Sequence, residues 1–259
     1  MKYRWVGRLA AMLPTLLAGL LWVCDDARAQ WRLQAGLESF LWHERTRPAV
    51  QETGSLVTVA VQAREPGSEG VMLDWAARVY GGTMDYSGVT LFPPVQSAIG
   101  RSDHSGATVE ASLRQPLRSG SGAAIAGLGV EAWRRSLGNR QREDYALGYL
   151  ILGAEWQPGH QGWFGDAALK LPLWIGEDAH LERLGFATNP LLRPARRPSA
   201  GMRTGWRFPG GLAVLLKLDL WRLGPSQAVA LDHPGQGPFL VQQPPVTRAT
   251  GGLVLQFEF

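Results

Sequence analysis

Asp103, His104 and Ser105 follow one another in the segment RSDHSGA, and an acid, an imidazole and a hydroxyl are the parts of a nucleophile with its general base. The three act together only within hydrogen-bond reach. In an extended chain neighbouring side chains point to opposite faces, so His104 and Ser105 would not pair there. His43, His104, His180 and His233, with Asp85, Asp103, Asp178 and Asp232, all fall in or beside segments that read as connections on one side of the chain's architecture. Two of them converging would make an Asp–His dyad; taken singly they read as solvated loop residues. No His-x-His or His-x-x-x-His spacing occurs, so no metal centre is expected. GLG and GGTMDYSG do not stand between a strand and a helix, so neither reads as a phosphate loop. The sequence therefore assigns no catalytic residue, no cofactor and no metal.

A second set of charges is ordered. Glu38, Asp74, Arg78, Glu110, Arg114, Glu131, Arg135, Glu155, Asp166, Lys170, Arg203, Lys217, Asp219 and Arg248 share the polar face of segments whose other face is apolar, and Arg32, Arg207 and Glu258 extend the set. Acids and bases nearly balance. Buried charges must be paired, so this is the composition of an ion-pair network filling an enclosed space. Glu110, Arg114, Glu131 and Arg135 lie on adjacent segments and are expected to share one network. A lining that selects ions is the alternative.

The elements that position these charges have period two. In SLVTVAVQA, Val57, Val59, Val61 and Ala63 oppose Thr58, Ala60 and Gln62. In VMLDWAARVY, Val71, Leu73, Trp75, Ala77 and Val79 oppose Asp74, Arg78 and Tyr80. In LAVLLKLDLW the apolar face runs Leu212, Val214, Leu216, Leu218 and Leu220, against Lys217 and Asp219. A helix would scatter these charges around its circumference, whereas a strand sorts them. Ten such segments are predicted: Trp31–Glu44, Ser55–Arg64, Gly70–Gly81, Asp103–Gln115, Gly122–Arg135, Tyr145–Gln157, Trp163–Ile175, Pro198–Phe208, Gly211–Arg222 and Pro245–Phe259. Each has about the 9 to 11 residues that cross a bilayer as a tilted strand. Short connections (EPGSE, PLRSGS, PGHQG, PGG) alternate with long ones (Arg45–Gly54, Gly82–Ser102, Ser136–Asp144, Gly176–Arg197, Leu223–Pro244). That alternation is what an even-stranded transmembrane barrel with both ends on one side requires. The predicted fold is thus an all-β, up-and-down antiparallel barrel of ten strands over residues 30–259.

Composition agrees. The 259 residues are 45% hydrophobic with 11 Trp, yet the mean hydropathy is only -0.09, so the apolar residues are dispersed. Residues 1–29 read as a cleaved signal peptide: Lys2, Arg4 and Arg8 precede the apolar LAAMLPTLLAGLLWV, and Ala27-Arg28-Ala29 offers a small-residue cleavage site. Its removal takes four positive and two negative charges, reducing the net charge from +4 to +2, so the basic balance does not argue for a nucleic-acid partner. Cys24, the single cysteine, leaves with it, and no disulfide is expected.

In hydrocarbon every backbone N–H and C=O must be paired, so a spanning sheet must close. GGLVLQFEF, Gly251 to Phe259, reads as the closing strand, with Leu253, Leu255, Phe257 and Phe259 toward lipid. Here the chain resembles the small outer-membrane β-barrel proteins of Gram-negative bacteria. The resemblance covers the whole mature chain by pattern and is looser at ETGSL, YGGTMDYSG, AGLGVEAWRR and YLILGAEW, where it points to uncharacterised barrels of this class. It implies a bacterial outer-membrane location and contact with outer-membrane lipids and lipopolysaccharide. It also implies recognition of Phe257 and Phe259 by the barrel assembly machinery, and a monomeric protein. The basic loop RPARRP, Arg193 to Pro198, could touch lipopolysaccharide phosphates. Outer-membrane lipid A deacylases use a His-x-Ser pattern that RSDHSGA does not reproduce. Omptin-type surface proteases use Asp and His on facing loops. The expected role is structural or surface-interacting through extracellular loops, with a narrow pore or a surface hydrolase as the alternative and the external ligand unassigned.

Overall fold

The computed structural model describes residues 29–89, 96–118, 121–138, 141–157, 159 and 161–259. The expected signal peptide lies outside them, apart from residue 29.

Thirteen strands form: β1 (Gln30–Glu44), β2 (Val50–Pro66), β3 (Met72–Val89), β4 (Ser97–Pro116), β5 (Gly122–Leu137), β6 (Gln141–Trp156), β7 (Gly162–Asp178), β8 (Leu191–Leu192), β9 (Ser199–Arg207), β10 (Leu212–Leu223), β11 (Val229–His233), β12 (Gly237–Val241) and β13 (Val246–Glu258). Ten of them make one antiparallel ring in the order β6-β5-β4-β3-β2-β1-β13-β10-β9-β7, closed by the pairing of β6 with β7. The last strand does close against the first, from Arg32 opposite Glu258 to Glu44 opposite Val246. No edge is left in the ring, which is the condition for a sheet to stand in hydrocarbon.

The period-two pattern sorts faces as its chemistry dictates. Leu33, Leu37, Val57, Val59, Val79, Leu128, Leu152, Leu169, Leu216, Leu218, Leu253 and Leu255 are all exposed on the outer surface. At the short-turn end this apolar belt is bordered by exposed Trp156, Trp163, Trp206, Phe208, Phe257 and Phe259, the amphipathic girdle of a membrane interface. Trp163 and Trp206 face each other across β7 and β9 with their rings edge to face at 5.5 Å. The PGG turn shows why the short connections are glycine-rich: Gly210 and Gly211 have φ of 85° and 84°, which only glycine adopts without strain.

The long connections differ from expectation. Much of the predicted loops 45–54, 82–102 and 136–144 is strand, because β2 to β6 run 16 to 20 residues, well past the bilayer requirement. On these extensions the outward positions become polar: Gln51, Thr53 and Ser55 on β2, Thr83 and Asp85 on β3, Arg101, Asp103 and Ser105 on β4, Arg134 and Ser136 on β5, Arg142 and Asp144 on β6. A hydrocarbon-facing wall would not tolerate that row, so this part of the barrel stands outside the membrane. Predicted loops 176–197 and 223–244 also carry structure. The 3-10 turn Leu181–Leu184, β8 and the hairpin β11–β12 pack Ala179, Leu181, Phe186, Leu192 and Leu231 into a small core of their own at the barrel mouth.

Candidate functional site

The barrel interior is built from the inward positions of ten strands, and its polar groups meet in tiers. Nearest the short turns, Arg64 and Arg114 both reach Asp74 and Glu155, with Arg64 Nε 2.9 Å from Asp74. Beside them Arg203 pairs with Asp166 at 2.9 Å, and Arg32 with Glu258 at 3.2 Å. In the middle tier Glu38 takes Arg78 at 2.7 Å and Lys217 at 3.3 Å, while Lys170 lies 2.9 Å from Asp219 and 3.6 Å from Glu110. Arg248 meets Glu131 at 2.7 Å, and the Tyr80 hydroxyl donates to the same oxygen at 2.7 Å.

Above this tier the lumen is crossed by aromatic side chains. Phe40, Trp42, Trp133, Tyr145, Tyr149 and Trp221 are buried in one cluster. Trp133 stacks on Tyr145 at 4.6 Å, and Arg248 lies over the Trp133 ring at 4.5 Å. Large rings need small neighbours. A Cβ on Gly129 would overlap the Tyr149 ring, and one on Gly106 the Tyr80 ring. Between the tiers remains a cavity of about 120 Å³ bordered by Arg78, Lys170, Arg203, Lys217 and Asp219, space for a few waters.

The uppermost tier stands at the height of the polar outer row, beyond the membrane. Arg135 gathers Glu44 at 2.9 Å, Glu143 at 2.7 Å and Glu52, to which its Nε donates at 2.6 Å. Ser102 Oγ and His104 Nε2 each lie 2.5 Å from Glu52. Burial pushes His104 below the usual imidazole range, so the neutral ring donates to the carboxylate. Burial opposes ionisation of Glu52, but His104 and Arg135 outweigh it and bring the carboxyl down to about 2.

All fourteen interior charges expected from sequence point into the barrel, and each has an opposite charge within 4.0 Å. One grouping is corrected. Glu110, Arg114, Glu131 and Arg135 do not pair with one another: Arg114 belongs to the tier nearest the short turns, Glu110 and Glu131 to the middle one and Arg135 to the uppermost, and each finds its opposite charge on another strand. Further interior residues join them: Glu44, Glu52, Arg64, Tyr80, His104, Glu143, Tyr145 and Glu177. Most are legible by parity, since Glu44 follows Glu38 and Phe40, Glu52 precedes Leu56, and His104 precedes Glu110 on the same face. Glu177 is not, because the register shift at Gly148/Tyr149 switches the inward parity of β7 from Lys170 to Ile175 and Glu177.

The reading of the loop histidines as solvated also needs correction. His104 is a buried strand residue, while Asp103 and Ser105 on either side face outward, so the three do not form a catalytic set. His180 Nε2 lies 2.9 Å from Asp144, with Asp178 3.6 Å from its other ring nitrogen. Arg134 and Arg142 hold the same Asp144, at 2.9 and 2.5 Å. A carboxylate neutralised by two guanidiniums is a poor orienter for a general base, and the cluster reads as a clamp between β5, β6 and the 180–184 turn. His233 is packed between Phe186 and Phe239. Asp85, Asp103 and Asp232 are exposed.

No protein-family model matches the chain. No curated protein matches it. Solved structures do. The outer membrane protease OmpT from Escherichia coli superposes with a TM-score of 0.55, covering 91% of this chain and 98% of that one at 7% sequence identity. The β domain of the Bordetella autotransporter BrkA matches with a TM-score of 0.43, 14% identity and coverage of 90% and 100%. The translocator domain of the autotransporter NalP from Neisseria meningitidis gives 0.43, 12% identity and 96% of each chain. At such identities the likeness is one of fold. A closed ten-strand barrel with a lipid-facing apolar belt makes this chain a small outer-membrane β-barrel of the Gram-negative type, located in the outer membrane.

Proposed function

We propose that this outer-membrane barrel is a closed one, which works by presenting its long-loop end to an external ligand rather than by conducting solutes. The observation that carries the reading is the pair Glu131–Arg248, which spans the lumen inside a layer of packed aromatic rings. Ion pairs that reach across a narrow barrel occupy the path a solute would take, and a ten-stranded barrel lies between the side-chain-filled eight-stranded class and the open porins. The cap formed by the 181–184 turn and the β11–β12 hairpin gives the other end a built surface.

The hydrolase reading is the weaker one, because the Asp144–His180 pair is tied up by two arginines and Ser102 is buried beside Glu52. In keeping with the fold, residues 1–29 are read as a signal peptide. Phe257 and Phe259 are read as the assembly signal, and lipopolysaccharide as the surrounding lipid.

Reconstitution in planar bilayers tests the closure. The wild-type protein is expected to give no conductance steps, and the double variant Glu131→Ala/Arg248→Ala to give small ones. Steady ion-selective currents from the wild type would make the barrel a narrow pore.

A further inference from the structure

Between the uppermost tier and the loop cap lies a cavity of about 400 Å³, within the range of small-molecule sites. Its two sides differ in chemistry. The floor presents Glu44, Glu143 and Glu177 around the guanidinium of Arg135, which also serves Glu52, while the exposed Arg47 borders the cavity without an ion pair to any of these acids. The opposite wall is apolar, with Leu192 and Val241 of the cap.

Glu177 decides the matter. It is 1% exposed, it borders the cavity, and among the described residues no ion pair reaches it. What it has is neutral: with its amide turned nitrogen toward the acid, Gln243 donates to both carboxylate oxygens at 2.9 and 3.1 Å. A buried carboxylate without a counter-cation is costly, and here the missing positive charge has a volume beside it into which it would fit.

We propose that this cavity binds an amphiphilic organic cation, whose ammonium or guanidinium group sits among Glu44, Glu143 and Glu177 and whose short apolar body lies against the cap. The inference rests on the long-loop end being the ligand face, and it is independent of whether the lumen conducts. Glu177, which burial holds protonated while the cavity is empty, releases its proton to solvent as the cation enters and then supplies the counter-charge, and the apolar wall rejects fully hydrated inorganic cations.

Calorimetric titration of the full-length protein in detergent, with n-butylguanidinium and its uncharged counterpart n-butylurea, tests the assignment. Butylguanidinium should bind saturably and at least tenfold more tightly than butylurea. Glu177→Gln should weaken butylguanidinium at least tenfold. Val89→Trp, which fills the cavity and leaves every charge in place, should abolish binding while the barrel keeps its folded mobility on unboiled gels. Equal binding of the two probes, no binding of either, or affinity unchanged in both variants overturns the proposal. A conducting barrel that still binds butylguanidinium would defeat the closed-lumen reading and leave this site standing, and a closed barrel that ignores it would do the reverse.

Discussion

Arg248 Nη2 lies 2.7 Å from Glu131 Oε1, although their strands, β13 and β5, stand five places apart in a ring of ten. The pair therefore spans the full diameter of the barrel. It ties opposite walls together, and the Tyr80 hydroxyl and the Trp133 ring enclose it. Removing one member of such a buried pair leaves the other charge uncompensated, at a typical cost of about 3–5 kcal/mol. Glu131→Ala and Arg248→Ala are each expected to lower unfolding stability by that amount, and the double variant by clearly less than their sum. Denaturant titration in detergent or vesicles measures the cycle. Additive losses would mean that the two side chains do not couple.

Glu177 gives a stability change of the opposite sign. Burial first, and then repulsion from Glu143 and Glu44, pushes its carboxyl well above the usual range. The folded state thus holds this proton more tightly than the unfolded chain, whose glutamates titrate at about 4.3. Its stabilising contribution is complete below that value and is lost as pH rises through the folded-state value. Glu177→Gln, which cannot ionise, should be more stable than wild type at pH 8 and no different at pH 4. Thermal unfolding at the two pH values checks this; a variant less stable at pH 8 would contradict it.

The placement of the bilayer can be read by two arginines. Leu253 is 64% exposed in the apolar belt, whereas Ile99 is 91% exposed on the extension of β4 beyond it. Arginine facing hydrocarbon near the midplane costs about 2–4 kcal/mol. Leu253→Arg should be destabilised by that order in phospholipid vesicles, and Ile99→Arg should unfold like wild type. Equal sensitivity at both positions would show that the protruding wall is itself in the membrane.

Gly129 tests the fit of ring to backbone. A Cβ there would overlap the Tyr149 ring, whose hydroxyl donates to Glu110 at 2.7 Å. Gly129→Val should displace the ring and cost about 1–3 kcal/mol, the usual range for overpacking. Adding Tyr149→Phe should not restore it, because the clash is with the ring and not with its hydroxyl alone. Recovery on removing only the hydroxyl would locate the strain elsewhere.

The strands, their faces and most of the contents of the interior were legible in the order of residues alone. Alternation is a local property: the parity that sets Leu216 and Leu218 outward sets Lys217 and Asp219 inward, whatever the rest of the chain does. Ten strands and a closing β13 follow from counting such runs. Tertiary structure decided which charge meets which. Glu131 finds Arg248 and not Arg135, because partners across a lumen depend on strand number and stagger, which no single segment encodes. It also decided where periodicity misleads. The register shift in β7 carries Glu177 to the inner face against the parity of Lys170, and the polar outer rows that resembled loops at 82–102 stay in the ladder because neighbouring strands there offer hydrogen bonds. The cavity at the mouth depends on both decisions, for its floor comes from strands that outrun the membrane and its wall from a hairpin folded between β10 and β13.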